Sequence, residues 1–469
     1  MQRNRTKQKK NQQKSPSLSH TVTKKNDKEI VTAYALATDG KAIAKGEDQI
    51  IVFVKDLLPG EKGKVEIIKK KSNYKTAHLT KLDSDSAANY RVTPPCNYYE
   101  LCGGCQLQHI SPEIQSDFKL QWLFETLRRI GKWNDENITE AKNKIEIVYL
   151  KRENYRRRIR LHFDGKHLGF KQNNSNKVIN ISNCLITSKL INEKLEFIRK
   201  NLLKTVAELN QKHWECEIEI TESDDNKVVM HIADVSTENT TYSKEILNKL
   251  QRNLEIIPEQ NIILNHPELP KFKIKKQSFV QPHLDCIHYY YKYIYNNIYD
   301  FINKNKEKID QFKAYDLYAG AGVFSGIPHF VGKQLALNIN CVGVEGIPEA
   351  IESLNHNYKN FPVTGLTEDV DHFIEKQFQQ KLQAPHSYEG IHLLILDPPR
   401  AGCSLANMQK IVELCAKNAL VLYLACDPAS FARDTRVLLE GGFKLNSLTL
   451  FDSFGHTTHY EVLGCFEKK

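Results

Sequence analysis

The sequence predicts an α/β chain in which a parallel sheet wrapped by helices is preceded by a small β-barrel and a mixed central segment. After residue 273, apolar runs at 314–318, 341–345, 393–397 and 421–426 alternate with helical segments, the pattern of an open sheet with a crevice at its carboxyl ends. Short alternating runs at 30–37, 50–54, 65–68 and 76–82 are punctuated by Asp39-Gly40 and Pro59-Gly60, which is the spacing of a small antiparallel barrel. At 469 residues the chain is also longer than one core usually serves.

Taken in order, residues 1–28 are rich in Lys, Arg, Gln, Asn and Ser, with Asp27 as the only acid. Such a composition predicts a disordered basic tail. The barrel spans 29–83, with Lys69, Lys70, Lys71 and Lys75 near its last hairpin; on charge alone these form either an RNA-binding face or a solvated one. The central domain is expected at 84–272. It opens with an amphipathic helix at 111–130, whose Phe118, Trp122 and Leu123 recur at helical spacing as core residues. The formal net charge of +10 suits a phosphate-bearing partner. No run approaches the ~18 apolar residues of a membrane span, so a cytoplasmic location is expected. Eleven cysteines then read as buried, metal-binding or catalytic. Cys96, Cys102 and Cys105, with Gly103-Gly104 inside the loop, can present three thiolates to one metal centre, zinc or iron–sulfur. Arg156, Arg158 and Arg160 share one strand face and form a basic stripe assigned to RNA, or else a solvated edge.

In the last domain, 273–469, Asp316-Leu317-Tyr318-Ala319-Gly320-Ala321-Gly322 ends a strand and opens a helix, where small residues let backbone approach a ligand. Glu345 closes the next strand, placed to accept ribose hydroxyls. Gly326 does not fit the third glycine of a dinucleotide fingerprint. Asp369, after the third strand, could hold an adenine amine or be an exposed loop acid. Asp397 in Leu396-Asp397-Pro398-Pro399-Arg400 sits at a strand end beside the crevice, either for base recognition or as a cap. Cys426 stands between a strand and a helix opened by Asp427-Pro428, a place that favours thiolate. Glu461, beside His456 and His459, is the candidate general base, or a surface glutamate on a terminal strand.

Cys426-Asp427-Pro428-Ala429-Ser430-Phe431-Ala432-Arg433-Asp434 with His456-Thr457-Thr458-His459-Tyr460-Glu461 resembles the RNA uridine-5 methyltransferase family, in its iron–sulfur and TRAM-containing branch. The resemblance runs from about residue 29 to the end. It implies a Rossmann-like methyltransferase domain, a TRAM barrel and a central iron–sulfur domain. Gln281, Tyr318 and Glu345 would line the S-adenosylmethionine pocket, beside Gly320, Gly322 and Asp369 as read from their positions, and Asp397 would contact cofactor or uracil. Cys426 would be the nucleophile and Glu461 the base, with Phe279, Asp397 and the arginine stripe toward the RNA. A [4Fe–4S] cluster would take Cys184 as its fourth ligand. The implied partner is RNA, 23S rRNA ahead of tRNA, and the implied assembly a monomer. Uracil C5 is a weak nucleophile, so thiolate addition at C6 would create an enolate that accepts methyl, after which Glu461 would remove the C5 proton. The base would leave its stack to be reached. Val323, Ala425, Asp427 and Gly455 depart from the family's Asn, Ser, Asn and Pro. Cys403 follows the Pro-Pro turn as a buried residue, since the first of the two cysteines of cytosine-5 methyltransferases directly follows an Ala-Pro pair. A cytosine-5 methyltransferase and a non-catalytic RNA-binding protein are the competing readings.

Overall fold

The computed structural model describes residues 27–468 apart from 174, 210–213, 238–239, 308 and 310. The basic tail, except for its last two residues, lies outside the described residues. The chain divides into two units, Met1–Asn89 and Tyr90–Lys469.

In the first unit, β1 (Lys28–Leu36), β2 (Ala42–Lys45), β3 (Ile51–Lys55), β4 (Lys62–Lys70) and β5 (Tyr74–Leu82) close into a barrel of order β1-β2-β3-β5-β4. Alternate residues point inward, so Val31 and Ala33, Ala42 and Ala44, and Val52 and Val54 fill the core. Lys69, Lys70 and Lys71 are exposed. Lys75, grouped with them by sequence, is 2% exposed and ion-paired to Glu29 and to Asp48 at 3.0 Å. A buried ammonium needs such partners, and they withdraw it from any RNA face.

Among the described residues the second unit holds two large sheets and a two-stranded one. Helices α1 (Pro112–Arg129) and α2 (Asp135–Lys144) lead to β6 (Ile145–Tyr149). The antiparallel sheet runs β11-β10-β7-β8-β9, from β7 (Arg158–Phe163), β8 (Leu168–Lys171), β9 (Val178–Asn180), β10 (Trp214–Ser223) and β11 (Lys227–Thr237). It is packed by α3 (Lys189–Leu209) and α4 (Thr240–Asn253) around Ile218, Ile220, Leu195 and Leu250. A hairpin, β12 (Asn261–Leu264) and β13 (Phe272–Lys275), and α5 (Cys286–Asn305) precede the main sheet.

That sheet is built from β14 (Lys313–Leu317), α6 (Ile327–Gln334), β15 (Asn340–Glu345), α7 (Pro348–Asn357), β16 (Val363–Thr367), α8 (Val370–Gln383), β17 (Ile391–Leu396), α9 (Leu405–Leu414), β18 (Cys415–Ala425), α10 (Pro428–Glu440), β19 (Phe443–Asp452) and β20 (Glu461–Lys468). Its order is β16-β15-β14-β17-β18-β20-β19-β6. Leu393 to Leu396 are at most 1% exposed, as a continuous apolar run covered on both faces must be. The chain moves outward from β14 through β16 and then returns to β17 on the other side of β14. The loops after β14 and β17 therefore part, and a crevice opens at the switch point. β20 is antiparallel to β18, whereas β6 pairs in parallel with β19. Residues 145–149, placed in the central segment by sequence, thus add an edge strand to this sheet, because β19 offers an open edge to Ile145, Ile147 and their neighbours.

Candidate active site

The loop after β14 turns on residues with positive φ: Tyr318 at 64°, Gly320 at 53° and Gly322 at 84°. The helix α6 begins only at Ile327, later than the glycine loop suggested. Glu345 at the end of β15 accepts from Gly320 N at 3.2 Å and Ile347 N at 3.0 Å. Nothing lies within 4 Å of where a Gly320 side chain would start, whereas the same position on Gly322 is 2.5 Å from Leu354. Gly320 therefore faces open space, and Gly322 packs behind the loop. Asp316 beneath them is 1% exposed and accepts from Ser325 Oγ at 2.6 Å; burial, with Asp397 and Glu345 adding, pushes it up to about 7.

The crevice is a cavity of about 520 Å³. Gln281, Tyr318, Gly320, Glu345, Asp397, Cys426 and Glu461 all line it. Phe279, also lining, is 65% exposed. Val323 lines it too, where the resemblance led us to expect asparagine. Asp369 does not: it is exposed and caps α8, accepting from His372 N at 3.1 Å, so its carboxylate serves the helix end.

β18 delivers Cys426 to the start of α10. Asp427 caps that helix, accepting from Ser430 N at 2.8 Å, a task Asn and Asp perform alike. Ala425 pairs with Val462, so the register sets Glu461 opposite Cys426 across the two strands. Glu461 is 4% exposed, and burial followed by Asp397 raises it well above the usual range. Asp397 is pushed up to about 7 by burial, opposed by the hydrogen bond from Gln281 Nε2 at 3.3 Å. Burial, Glu461 and Asp397 push the Cys426 thiol up to about 12. The helix end that favours thiolate is thus opposed by burial and by the two acids that share the cavity, and Arg400 is the one cation lining the cavity among the described residues.

Sequence reasoning overlooked the clamp on the Pro398-Pro399-Arg400 turn. Arg433 donates to Ala401 O at 2.9 Å and Cys403 O at 2.7 Å, while Asp434 accepts from Cys403 N at 2.8 Å and Tyr423 OH at 2.6 Å. The helix that follows Cys426 thereby fixes the turn that carries Asp397. The adjacent Arg433-Asp434 pair was its only signal. Cys403 is buried in this clamp. Gly455 is also explained: a Cβ there would lie 2.7 Å from Arg152 Cβ, which leaves no room for proline.

Cys96, Cys102, Cys105 and Cys184 line a single separate cavity of about 220 Å³. Burial, with the other thiols adding, raises Cys102 and pushes Cys105 up to about 12. Among the described residues, no three His, Cys, Asp or Glu side chains converge as they would on one metal ion. Arg156 and Arg160 border this cavity. The arginine stripe is partly neutralised, because Arg158 pairs with Glu219 at 2.7 Å and Arg160 pairs with both Glu219 and Glu217. Sequence spacing could not reveal these acids, which arrive on the neighbouring strand β10. No helix among the described residues is long and apolar enough to cross a membrane.

A family model described as tRNA (Uracil-5-)-methyltransferase matches residues 136–469. The chain is 28% identical to the 23S rRNA (uracil(1939)-C(5))-methyltransferase RlmD of Photorhabdus laumondii, over 93% of this chain and 96% of that protein. It is 29% identical to an uncharacterized RNA methyltransferase of Aquifex aeolicus, over 89% and 93%. Among solved structures, the Pyrococcus abyssi tRNA (uracil-54, C5)-methyltransferase in complex with S-adenosyl-L-homocysteine superposes with a TM-score of 0.63 at 18% identity, covering 93% of this chain and 99% of that one. The fold is shared.

Proposed function

The chain belongs to the tRNA (uracil-5-)-methyltransferase family and is an RNA uracil-C5 methyltransferase; from that premise we propose that it methylates a uridine of 23S rRNA through a covalent adduct of Cys426 with C6. The observation that carries the proposal is the convergence of Cys426, Glu461 and Asp397 in the cavity that the glycine loop and Glu345 also line. S-adenosylmethionine fits the donor set, with Glu345 for ribose hydroxyls and the open side of Gly320 for close approach, and it would supply an electrophilic methyl group and a positive charge. In a cavity with several acids, such a charge favours ionised Cys426, Asp397 and Glu461.

Cys426 Sγ bonds to C6 of the uracil, and the C5–C6 π electrons move toward O4 and make C5 nucleophilic. Once C5 has taken the methyl group it still carries a hydrogen. Glu461 carboxylate removes that proton; the electron pair re-forms the C5–C6 double bond and expels Cys426. Asp397, held by Gln281 and by the clamped turn, is placed to orient the uracil edge or the cofactor. The relatives named as 23S rRNA enzymes support ribosomal RNA, and exposed Lys69, Lys70 and Lys71 supply charge for phosphates. The solved tRNA enzyme keeps a tRNA substrate as the second reading.

We infer a [4Fe–4S] cluster at the four cysteines that line one cavity, because the resemblance to the cluster-bearing branch favours it over zinc. Cys96, Cys102, Cys105 and Cys184 would hold it, in a structural role. Cys426→Ala should abolish methyl transfer while cofactor affinity stays near wild type. Glu461→Gln should methylate once and stall, leaving an RNA–protein adduct on denaturing gels. Full activity of Cys426→Ala would overturn the mechanism.

A further inference from the structure

Glu461 enters its strand from the turn 453–460, and that turn is fastened to the cysteine loop. His456, the pivot, has φ 67°, a left-handed conformation that a side-chain-bearing residue adopts only when its surroundings impose it. Its carbonyl accepts from both Gln106 N at 3.0 Å and Leu107 N at 2.9 Å, immediately after Cys105. Its own N–H donates at 2.9 Å to Oε1 of Gln115, which is fully buried. The Gln115 amide nitrogen in turn donates to Leu107 O at 3.1 Å and Ile110 O at 2.9 Å. Gln106 makes a second tie: its Nε2 donates to Gly103 O at 2.8 Å, between two cysteines, and its Oε1 accepts from Thr458 N at 3.4 Å.

We propose that Gln106 and Gln115 are positioning residues for Glu461, through which the cysteine loop sets the geometry of proton removal from C5. The proposal rests on the reading of Glu461 as the base. Neither glutamine lines the catalytic cavity, so each acts through the backbone at His456 and Thr458. A buried backbone group deprived of its partner moves to find another. Displacement of the turn is passed along the chain to Glu461, whose reach to C5 tolerates little error. The step affected follows methyl transfer, so the defect belongs to adduct release rather than to adduct formation or cofactor binding.

The test compares Gln106→Ala and the near-isosteric Gln115→Met with wild type and with Glu461→Gln, using protein with its iron content measured. Both glutamine variants should accumulate methylated RNA–protein adduct during turnover, with kcat reduced by about tenfold or more. Adduct formation in a single turnover, affinity for S-adenosylhomocysteine and iron content should stay within about twofold of wild type, on the usual precision of such differences. Cysteine-loop variants that lose iron yet bind S-adenosylhomocysteine should accumulate the same adduct. If Glu461→Gln traps adduct while Gln106→Ala and Gln115→Met release it at the wild-type rate, this inference fails alone. If Glu461→Gln itself traps none, the assignment of the base fails first. A fall in kcat explained wholly by weaker cofactor affinity or by missing iron would also overturn the positioning role.

Discussion

Replacing Gly322 with alanine should destabilise the catalytic unit by about 2–5 kcal/mol, the sum of two separate costs. Its φ of 84° charges an L-residue about 1–2 kcal/mol. The new Cβ would sit 2.5 Å from Leu354 Cγ and 2.9 Å from Cδ1, an overpacking worth about 1–3 kcal/mol. Leu354 cannot yield, since a Cβ on Gly343 or Gly365 would already lie 2.7 Å and 3.0 Å from its methyl carbons. Three glycines on the loop after β14, on β15 and on β16 enclose that one side chain. Gly320→Ala should behave differently: with nothing within 4 Å it carries only the conformational cost, about 1–2 kcal/mol, and its methyl enters the cofactor space. Urea unfolding midpoints at constant slope, alongside calorimetric titration with S-adenosylhomocysteine, separate the two. Gly322→Ala should lower the midpoint strongly, and Gly320→Ala should mainly weaken binding. Equal stability losses, or a Gly322→Ala protein as stable as wild type, would refute the packing argument.

The pH dependence has a definite sign. Cys426 is pushed up to about 12 and Glu461 is raised, and both react as anions, so kcat/KM should rise with pH from 6 to 9; a profile falling over that range would contradict it. Asp397→Asn removes a negative neighbour of Cys426, so the profile of its remaining activity should shift to lower pH. Anaerobically purified protein should be brown with about four irons per chain, and stoichiometric zinc without iron would overturn the cluster. Removing Lys69, Lys70 and Lys71 together should weaken RNA binding and flatten its salt dependence, by about 0.9 for each duplex phosphate no longer neutralised. Turnover at saturating RNA should stay near wild type. An unchanged affinity and slope would return those lysines to solvent.

Much of the site was legible because its chemistry is local in sequence. The strand–glycine–turn signal at 314–322, the Asp397-Pro398-Pro399 turn and the Cys426-Asp427-Pro428 junction each combine periodicity with a residue whose role is set by position. What escaped depended on distant strands. Glu217 and Glu219 neutralise Arg158 and Arg160 only because β10 pairs with β7, and Glu29 and Asp48 bury Lys75 only once the barrel closes. The four-residue strand β2 carries too little alternation to be seen in advance. Asp369, which the sequence left open between an adenine contact and an exposed acid, caps α8. The thiol of Cys426 is the sharpest case. Its helix end was readable, but Glu461 is brought opposite it by the antiparallel return of β20, and Asp397 by the parallel pairing of β17 with β18.

The central claim is that Cys426 attacks the uracil and Glu461 releases it. Incubation with S-adenosylmethionine and 23S rRNA carrying 5-fluorouridine, which has no C5 proton to remove, tests it most directly. The wild-type protein should form a stable complex, and mass spectrometry of its peptides should place the methylated nucleotide on Cys426. A complex attached at another cysteine, or methylation of ordinary uridine with no complex on the fluorinated RNA, would contradict the account.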